Sequence, residues 1–308
     1  MRVLIIGAAG MIGRKLAERL ARDGRLAGRE ISELTLVDSL EGPGITVADV
    51  SEPELVEARP DVIFDLAAVL SGEAEADFDV GYRVNVDGTR SLFEAVRAAE
   101  YRPRVVFSSS IAVFGPPLPE TIGDDHASTP ATSYGTEKAI AELLLSDYSR
   151  RGFLDGVGIR LPTICVRPGV PNRAASSFFS SIVREPLNGR EAVLPVPESI
   201  RHWFASPRAA VGFLVRAAEL DSSALGELRC LTMPGVSATV GEQIAALRAV
   251  AGDEAVRCIR REPDETIMRI VSGWPGSFDT RRAHELGFRA ETSFEEIVRV
   301  YVEDELAA

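Results

Sequence analysis

Within its first 23 residues the chain changes period. "RVLIIGA" (2–8) is a short, continuous apolar run, whereas "MIGRKLAERLARD" (11–23) repeats its apolar residues at helical spacing. Between them stands "GAAGMIG" (7–13). Gly7 permits a tight turn, Gly10 lets backbone approach a pyrophosphate, and Gly13 lets helix and strand pack closely. The helix start then offers free N–H groups and a partial positive charge to phosphates. An ordinary strand–helix turn can also carry three glycines. Here, however, the strand, the glycines and the amphipathic helix follow in the order that dinucleotide binding requires. Gly7, Gly10, Met11, Ile12 and Gly13 are therefore cofactor-binding candidates.

The same alternation continues. "LTLVD" (34–38), "ITVAD" (45–49), "DVIFDLAA" (61–68), "RVVFSSSI" (104–111) and "VGIRLPTI" (157–164) read as strands, mostly without apolar/polar alternation. Strands buried on both faces read this way. Helices are expected at 11–23, 51–58, within 76–99 and at 134–150. Such alternation predicts an α/β fold: a Rossmann-type doubly wound parallel sheet. After about residue 165 the rhythm breaks at "RPGVPNRAASS". Helices at 178–187, 207–220, 239–251 and 293–305, with strands near 193–196, 228–233 and 256–261, predict a smaller C-terminal α/β substrate-binding subdomain. The expected division is 1–165 for dinucleotide binding and 166–308 mainly for substrate, with segments of the latter returning to the first core.

A net charge of −12 disfavours nucleic acid and anionic membranes as partners. Cys165, Cys230 and Cys258 form an odd, scattered set, read as reduced thiols filling a core. His126, His202 and His284 are too far apart for a local zinc motif, so no metal is expected. No signal peptide or membrane-length apolar run is read, and a cytoplasmic location is expected.

Asp38 closes the second strand. A carboxylate there can accept from the adenosine ribose hydroxyls and repel a 2′-phosphate, favouring NAD over NADP. Arg14 and Lys15 pull the other way, because cations just after the glycines can meet that phosphate.

Only two of the 34 basic residues are lysines, Lys15 and Lys138, and the rest are arginine. Lys138 lies four positions after Tyr134 in "SYGTEKA" (133–139), so a helix puts both on one face. The plain alternative is a solvated lysine beside a packed tyrosine. A phenol that moves protons at neutral pH needs its pKa of ~10 lowered, and a nearby buried ammonium favours the phenolate. Lysine combines a compact charge with a movable pKa, which arginine lacks. Ser110 ends the fifth strand, where doubly wound sheets bind ligands, and is the candidate to hold a reacting hydroxyl.

Together these features resemble the extended branch of the short-chain dehydrogenase/reductase superfamily, the NAD-dependent epimerases and dehydratases. "GAAGMIG", "DLAA" (65–68), "NVDGT" (85–89), "SSSIAVFG" (108–115), "YGTEK" and "RLPTI" (160–164) stand in the family's order over nearly the whole chain. The resemblance implies NAD as cofactor, Tyr134 as acid/base, Lys138 as its partner and Ser110 as third member. It implies that Asp49 and Val50 flank the adenine and that Leu66, Ala67 and Ala68 line the cofactor. Asn85 would support the site, and Pro162 and Thr163 would lie near the nicotinamide amide. Two residues depart from the family pattern: Asp65 where relatives often have histidine, and Phe114 for a common tyrosine. Both are expected to tune packing. The stretches 71–90, 150–169 and 201–214 narrow the resemblance to members that oxidise the 2-hydroxyl of a four-carbon sugar acid.

A small acid needs a cationic anchor, and the second half offers Arg167, Arg173, Arg184, Arg201 and Arg208. Arg201 in "RHW" matches the family's substrate arginine, while Ser71 and Asn172 are candidates for substrate hydroxyls. Two rival functions remain at this point: a nucleotide-sugar 4-epimerase and a non-catalytic NAD sensor. Ile111 and Ala112, where a dehydratase carries an acid, disfavour dehydration. The intact Ser110/Tyr134/Lys138 set disfavours a sensor. A homodimer is expected, through helices 76–99 and 134–150.

Overall fold

A computed structural model describes residues 1–169 and 175–307. Seven parallel strands form the central sheet: β1 (Arg2–Ile6), β2 (Glu33–Asp38), β3 (Ile45–Val47), β4 (Val62–Asp65), β5 (Arg104–Ser110), β6 (Asp155–Leu161) and β7 (Cys230–Thr232). Their spatial order is β7-β6-β5-β4-β1-β2-β3. The chain winds outward from β1 in one direction, then returns beside β1 and winds in the other. The order therefore reverses between β1 and β4, and a crevice opens at their carboxyl ends, as doubly wound sheets require.

Alternate residues of each strand serve opposite faces. Val3 and Ile5 of β1 pack with Phe64 and Val106 against Leu16 and Leu20 of the helix α1 (Met11–Asp23) and against Phe213 and Leu214. Leu4 and Ile6 pack on the other face with Phe107, Phe93, Ala141 and Leu145. The last two belong to α2 (Ser133–Arg150). Burial on both faces explains why these strands read as continuous apolar runs.

The C-terminal half is divided between two cores. Strands Thr163–Ile164, Arg201–Ala205 and Val236–Thr239 form a small mixed sheet, and Ala192–Leu194 pairs with Ile259–Arg261. Helices Ser177–Leu187, Val240–Arg257 and Phe294–Tyr301 close a second core around Phe179, Phe204, Ile244 and Val298. The strand expected near 228–233 does not belong to this lobe. It is β7, fully buried at the end of the main sheet. The helix Pro207–Glu219 likewise lies on the main sheet's α1 face.

Other boundaries moved for local reasons. The expected helix 51–58 is one 3-10 turn, Pro53–Val56, because Pro60 denies the helical region to Arg59, which adopts φ 49°. The long helix expected within 76–99 is present: Asp77 caps it by accepting from Val80 N–H, and helical backbone runs without a gap from Phe78 to Ala98. Its middle, Tyr82–Gly88, is wound as a π-helix that continues into the α-helical Thr89–Ala98 and buries Asn85.

A buried ion pair seats α2 on the sheet. Arg160 of β6 donates to both oxygens of Glu142, Nε to Oε1 at 2.9 Å and Nη2 to Oε2 at 2.8 Å, and Ser109 Oγ donates to Oε1 at 2.5 Å. Removing one partner of such a pair strands the other charge in the interior, typically at about 3–5 kcal/mol. Glu142→Ala should therefore lower unfolding free energy by that order in urea titrations; a loss below about 1 kcal/mol would show that the pair does not hold the helix.

Candidate active site

The glycine turn has the steric properties its spacing suggests. Gly7 sits at φ +86°, and a Cβ there would lie 2.7 Å from Leu66 C and Ala67 N, the backbone leaving β4. A Cβ on Gly13 would lie 2.2 Å from the Gly7 carbonyl oxygen. Both positions need glycine to bring loop, helix and strand together. Gly10 differs. It is exposed, and a Cβ there would meet only the Gly7 oxygen, at 3.3 Å. Helix α1 begins at Met11 and Ile12 without a side-chain cap and without an acid in its first turn. Its first N–H groups are thus open to an anion at the mouth of the crevice.

Asp38 ends β2 beside this turn. Its Oδ2 accepts from Ala9 N–H at 2.8 Å and its Oδ1 from Leu40 N–H at 3.0 Å. The cations that complicate the cofactor preference are already engaged. Arg14 donates to the Ala9 carbonyl, and Lys15 is ion-paired with Glu305 near the C-terminal end. Asp49 is exposed and held below the usual carboxylate range by the Ser51 hydroxyl and N–H. Val50 is buried against Gly88, where a Cβ would fall 2.4 Å from Val50 Cγ1. Leu66, Ala67 and Ala68 leave β4 next to Gly7. Asn85 braces that loop: its amide accepts from Val69 N–H and donates to Val69 C=O, both at 2.9 Å, and donates to Glu137 Oε2 at 2.6 Å.

Ser110, Tyr134 and Lys138 converge at the neighbouring strand end. Ser110 Oγ accepts from Ala112 N–H at 3.1 Å and caps the turn Ile111–Val113. Helix α2 meets that turn at Gly135, where a Cβ would lie 2.2 Å from the Ala112 oxygen. The glycine after Tyr134 thus lets the helix come close enough to set the phenol beside Ser110. Burial pushes the Tyr134 phenol up to about 12, and the Ser110 hydroxyl opposes that shift. Lowering of this pKa is expected of Lys138 acting together with the charged ring of the nicotinamide; the chain's own residues leave burial dominant. The Lys138 ammonium lies 5.9 Å from the Tyr134 ring centroid and 4.7 Å from that of Phe107. Lys138 itself is buried, which brings its pKa down to about 8 against the pull of Asp65, Glu137 and Glu142.

Asp65 was expected to tune packing. Instead it is a fully buried carboxyl, raised to about 6 by burial and opposed first by the Lys138 charge. Phe114 is a packing residue, with the Arg160 guanidinium 4.9 Å above its ring and the Phe278 ring at 5.8 Å. Trp203 continues this wall 5.5 Å beyond Phe278 and links the second lobe to the Ser110 turn.

The remaining candidates are spread more widely. Ser71 opens a short helix, Ser71–Ala76, whose Glu75 accepts from Ser133 N–H at 3.0 Å at the start of α2. Pro162 is buried, and the Thr163 hydroxyl meets His202 Nε2 at 2.7 Å. His202 Nδ1 meets the Pro275 carbonyl at 2.9 Å, and burial pushes its pKa down to about 4, so the ring is neutral. Arg201 is exposed, paired with Glu242 at 3.3 Å and bonded to Ser237 C=O at 3.1 Å. Arg208 is taken by Glu303 and Asp304, and Arg184 by Glu185. Arg167 is half-buried, its Nη2 bonded to Ser176 Oγ at 3.3 Å. Asn172 and Arg173 lie outside the described residues. Among the described residues no three or more His, Cys, Asp or Glu are grouped to hold a metal, and no helix is long and apolar enough to cross a membrane. The cysteines are free thiols, Cys165 and Cys230 buried and Cys258 half-buried.

Residues 3–215 match the family described as "NAD dependent epimerase/dehydratase family". The chain belongs to that family. It is 46% identical to D-erythronate dehydrogenase of Cupriavidus necator, over 99% of this chain and 98% of that protein. It is 41% identical to D-erythronate dehydrogenase of Haemophilus influenzae, over 98% and 99%. Its fold matches a crystal structure from Agrobacterium tumefaciens titled a nucleoside-diphosphate-sugar epimerase. The TM-score is 0.97 and the identity 63%, over 100% of this chain and 95% of that one. The family's cofactor is a nicotinamide nucleotide, and the glycine cradle and uncapped helix start fit its pyrophosphate.

The high phenol pKa is directly measurable. In the cofactor-free protein, ultraviolet difference titration should show no phenolate from Tyr134 below about pH 10, so wild type and Tyr134→Phe should give superimposable curves to that point. A Tyr134 phenolate forming near neutrality would show that burial does not control the phenol.

Proposed function

We propose that this protein is an NAD-dependent dehydrogenase that oxidises the 2-hydroxyl of a small sugar acid, D-erythronate to 2-dehydro-D-erythronate. The observation that carries the substrate is the full-length likeness to two proteins of that name. The geometry supports the chemistry, because a hydroxyl, a phenol and a buried ammonium meet at the carboxyl end of β5, beside a dinucleotide crevice.

NAD, when bound, supplies the hydride acceptor; the chain's own residues handle the proton. In this reading Ser110 holds the substrate hydroxyl, and the Tyr134 oxygen takes its proton. Lowering the phenol from about 12 toward 8 requires roughly 5 kcal/mol of preference for phenolate, at about 1.4 kcal/mol per pH unit. Lys138 contributes by charge, together with the cationic ring of the oxidised cofactor, and donates to the nicotinamide ribose. Gly7, Gly10, Met11, Ile12 and Gly13 hold the pyrophosphate, and Asp38 takes the adenosine ribose. Asp49, Val50, Leu66 to Ala68, Asn85, Pro162 and Thr163 shape the remaining cofactor wall. NAD is favoured over NADP because Asp38 is in place while Arg14 and Lys15 are engaged elsewhere.

Arg201 is proposed to grip the substrate carboxylate, with Ser71 and Asn172 toward the hydroxyls. Its surface pair with Glu242 is of a kind worth little, so an incoming carboxylate can replace it. Residues 1–165 and 166–308 then serve mainly cofactor and substrate. Leu143, exposed on α2, marks the face proposed to meet a second copy of the chain.

A second reading, nucleotide-sugar epimerase, draws on the name of the 63% identical structure. The two separate cleanly. Four- to six-carbon aldonic acids with NAD should give NADH absorbance, with D-erythronate best. No NADH from any of them, alongside interconversion of a nucleotide sugar, would reverse the assignment. Within the working assay, Tyr134→Phe should lose about 10²–10⁴ in turnover. Asp38→Ala should narrow the preference for NAD over NADP, and unchanged selectivity would leave Asp38 as a turn residue only.

A further inference from the structure

Lys138 is buried, and among the described residues it has no hydrogen bond and no carboxylate within 4 Å. An ammonium in that state is costly unless a counter-charge stands near it. Five other ionisable groups surround it. Glu142 and Arg160 neutralise each other. Glu137 has one oxygen bonded by Asn85; its other oxygen has no hydrogen-bond partner among the described residues but is turned toward Gly81, and it acts on Lys138 less than Asp65 does. Tyr134 is a neutral phenol. That leaves Asp65, which is 1% exposed and, among the described residues, paired with no cation. Neither oxygen is in a well-formed hydrogen bond, and only the Thr89 side chain and the Ala67 N–H stand near enough to favour its charge besides Lys138.

Register places this carboxyl. Asp65 of β4 is the cross-strand partner of Phe107 of β5, so their side chains leave the same face of the sheet, about 4.8 Å apart at the backbone. That face is the one covered by α2, and the Lys138 ammonium lies over the Phe107 ring. Asp65 thus stands beside the ammonium but not in direct contact with it.

We infer that Asp65 is a positioning residue for the proposed reaction: its carboxylate supplies the counter-charge that holds the Lys138 ammonium inside the protein while leaving the ammonium's N–H donors free. A contact ion pair would spend those donors on the protein. A carboxylate at a distance compensates the charge and leaves them for hydroxyls of a bound ligand. The inference rests on the proposed role of Lys138, and its consequence is a window. Burial raises the Asp65 pKa to about 6 and lowers that of Lys138 to about 8, so both are charged between these values. Below about 6 the carboxylate takes a proton. Above about 8 the lysine loses one.

Because the chain has only two lysines, protein labelled with [13Cε]lysine gives two side-chain signals, and Lys15→Arg assigns them. In Asp65→Asn the Lys138 midpoint should fall by about one pH unit or more, as expected when a unit charge several ångströms away is removed. Asp65→Glu should keep the midpoint near that of wild type. In turnover assays the alkaline limb of Asp65→Asn should move to lower pH, with the KM for NAD rising more at pH 9 than at pH 6.5. A Lys138 midpoint unchanged within about 0.3 unit in Asp65→Asn would overturn the inference, whatever the activity. The titration needs neither NAD nor substrate, so failure of the dehydrogenase reading would show separately, as absence of NADH formation. Should Asp65→Asn fail to fold, Asp65→Asn/Lys138→Met decides. Recovery of the wild-type melting transition supports the coupling, and a persistent defect refutes it.

Discussion

The seating of α2 against the sheet is the constraint on which the candidate site depends. This helix carries Tyr134, Glu137, Lys138 and Glu142 on or near its buried side, an unusual load of polar groups for a helix packed on Phe107, Val105 and Phe93. Each is accommodated by a particular neighbour. Glu142 is locked to Arg160 and Ser109, Glu137 to Asn85, and Gly135 lets the helix touch the Ala112 carbonyl. These contacts fix the helix in rotation and in height. Only then do Tyr134 and Lys138, one turn apart, point at the end of β5. Buried polar groups of this kind contribute little net stability when paired but penalise every other arrangement. They act here as specificity for one placement.

The crevice on the β1 side obeys a different logic, steric where the other is electrostatic. Gly7 and Gly13 are needed for close approach, whereas Gly10 is left exposed at the helix start. Charges near the turn are arranged by ties to distant segments. Lys15 is held by Glu305, 290 residues further along, and Arg208 of the helix Pro207–Glu219 by Glu303 and Asp304. The C-terminal end therefore helps to decide which cations face the crevice. Cofactor preference in such a fold is a property of the whole chain rather than of the glycine loop alone.

Much of this was legible from the residues. The glycine turn, the main-sheet strands and the Tyr134/Lys138 spacing are local patterns, and local physics decides them. What could not be read depended on contacts between distant segments. That Cys230–Thr232 completes the main sheet follows from its pairing with Gly158–Arg160, which no local pattern announces. The short helix Ser71–Ala76 and its separation at Asp77 from the long helical run depend on a capping contact that no periodicity announces. The strand Arg201–Ala205 went unread because it is short, runs straight into a helix start at Ser206, and pairs only with the distant segments Thr163–Ile164 and Val236–Thr239. Asp65 was visible as a departure from the family pattern, yet its meaning required the register with Phe107. Arg201 and Arg208 were named as free cations, but the carboxylates that engage them, Glu242 for one and Glu303 with Asp304 for the other, lie far along the chain.

The register also explains why lysine persists at position 138 in a chain that otherwise uses arginine. The interior beside Phe107 accepts one compact charge, with the Asp65 carboxylate near it and unpaired with any other cation among the described residues. A guanidinium there would bring five donors into a space where Glu142 is already locked to Arg160, and it could not give up its proton. Arg160 marks the contrast, since its planar fork meets a carboxylate aligned to receive it. The two cations lie under the same helix and face the same sheet. One is bound fast to its partner, and the other is compensated from a distance so that its hydrogens remain available. Where structure is the need the chain uses arginine, and where a free donor is the need it keeps lysine.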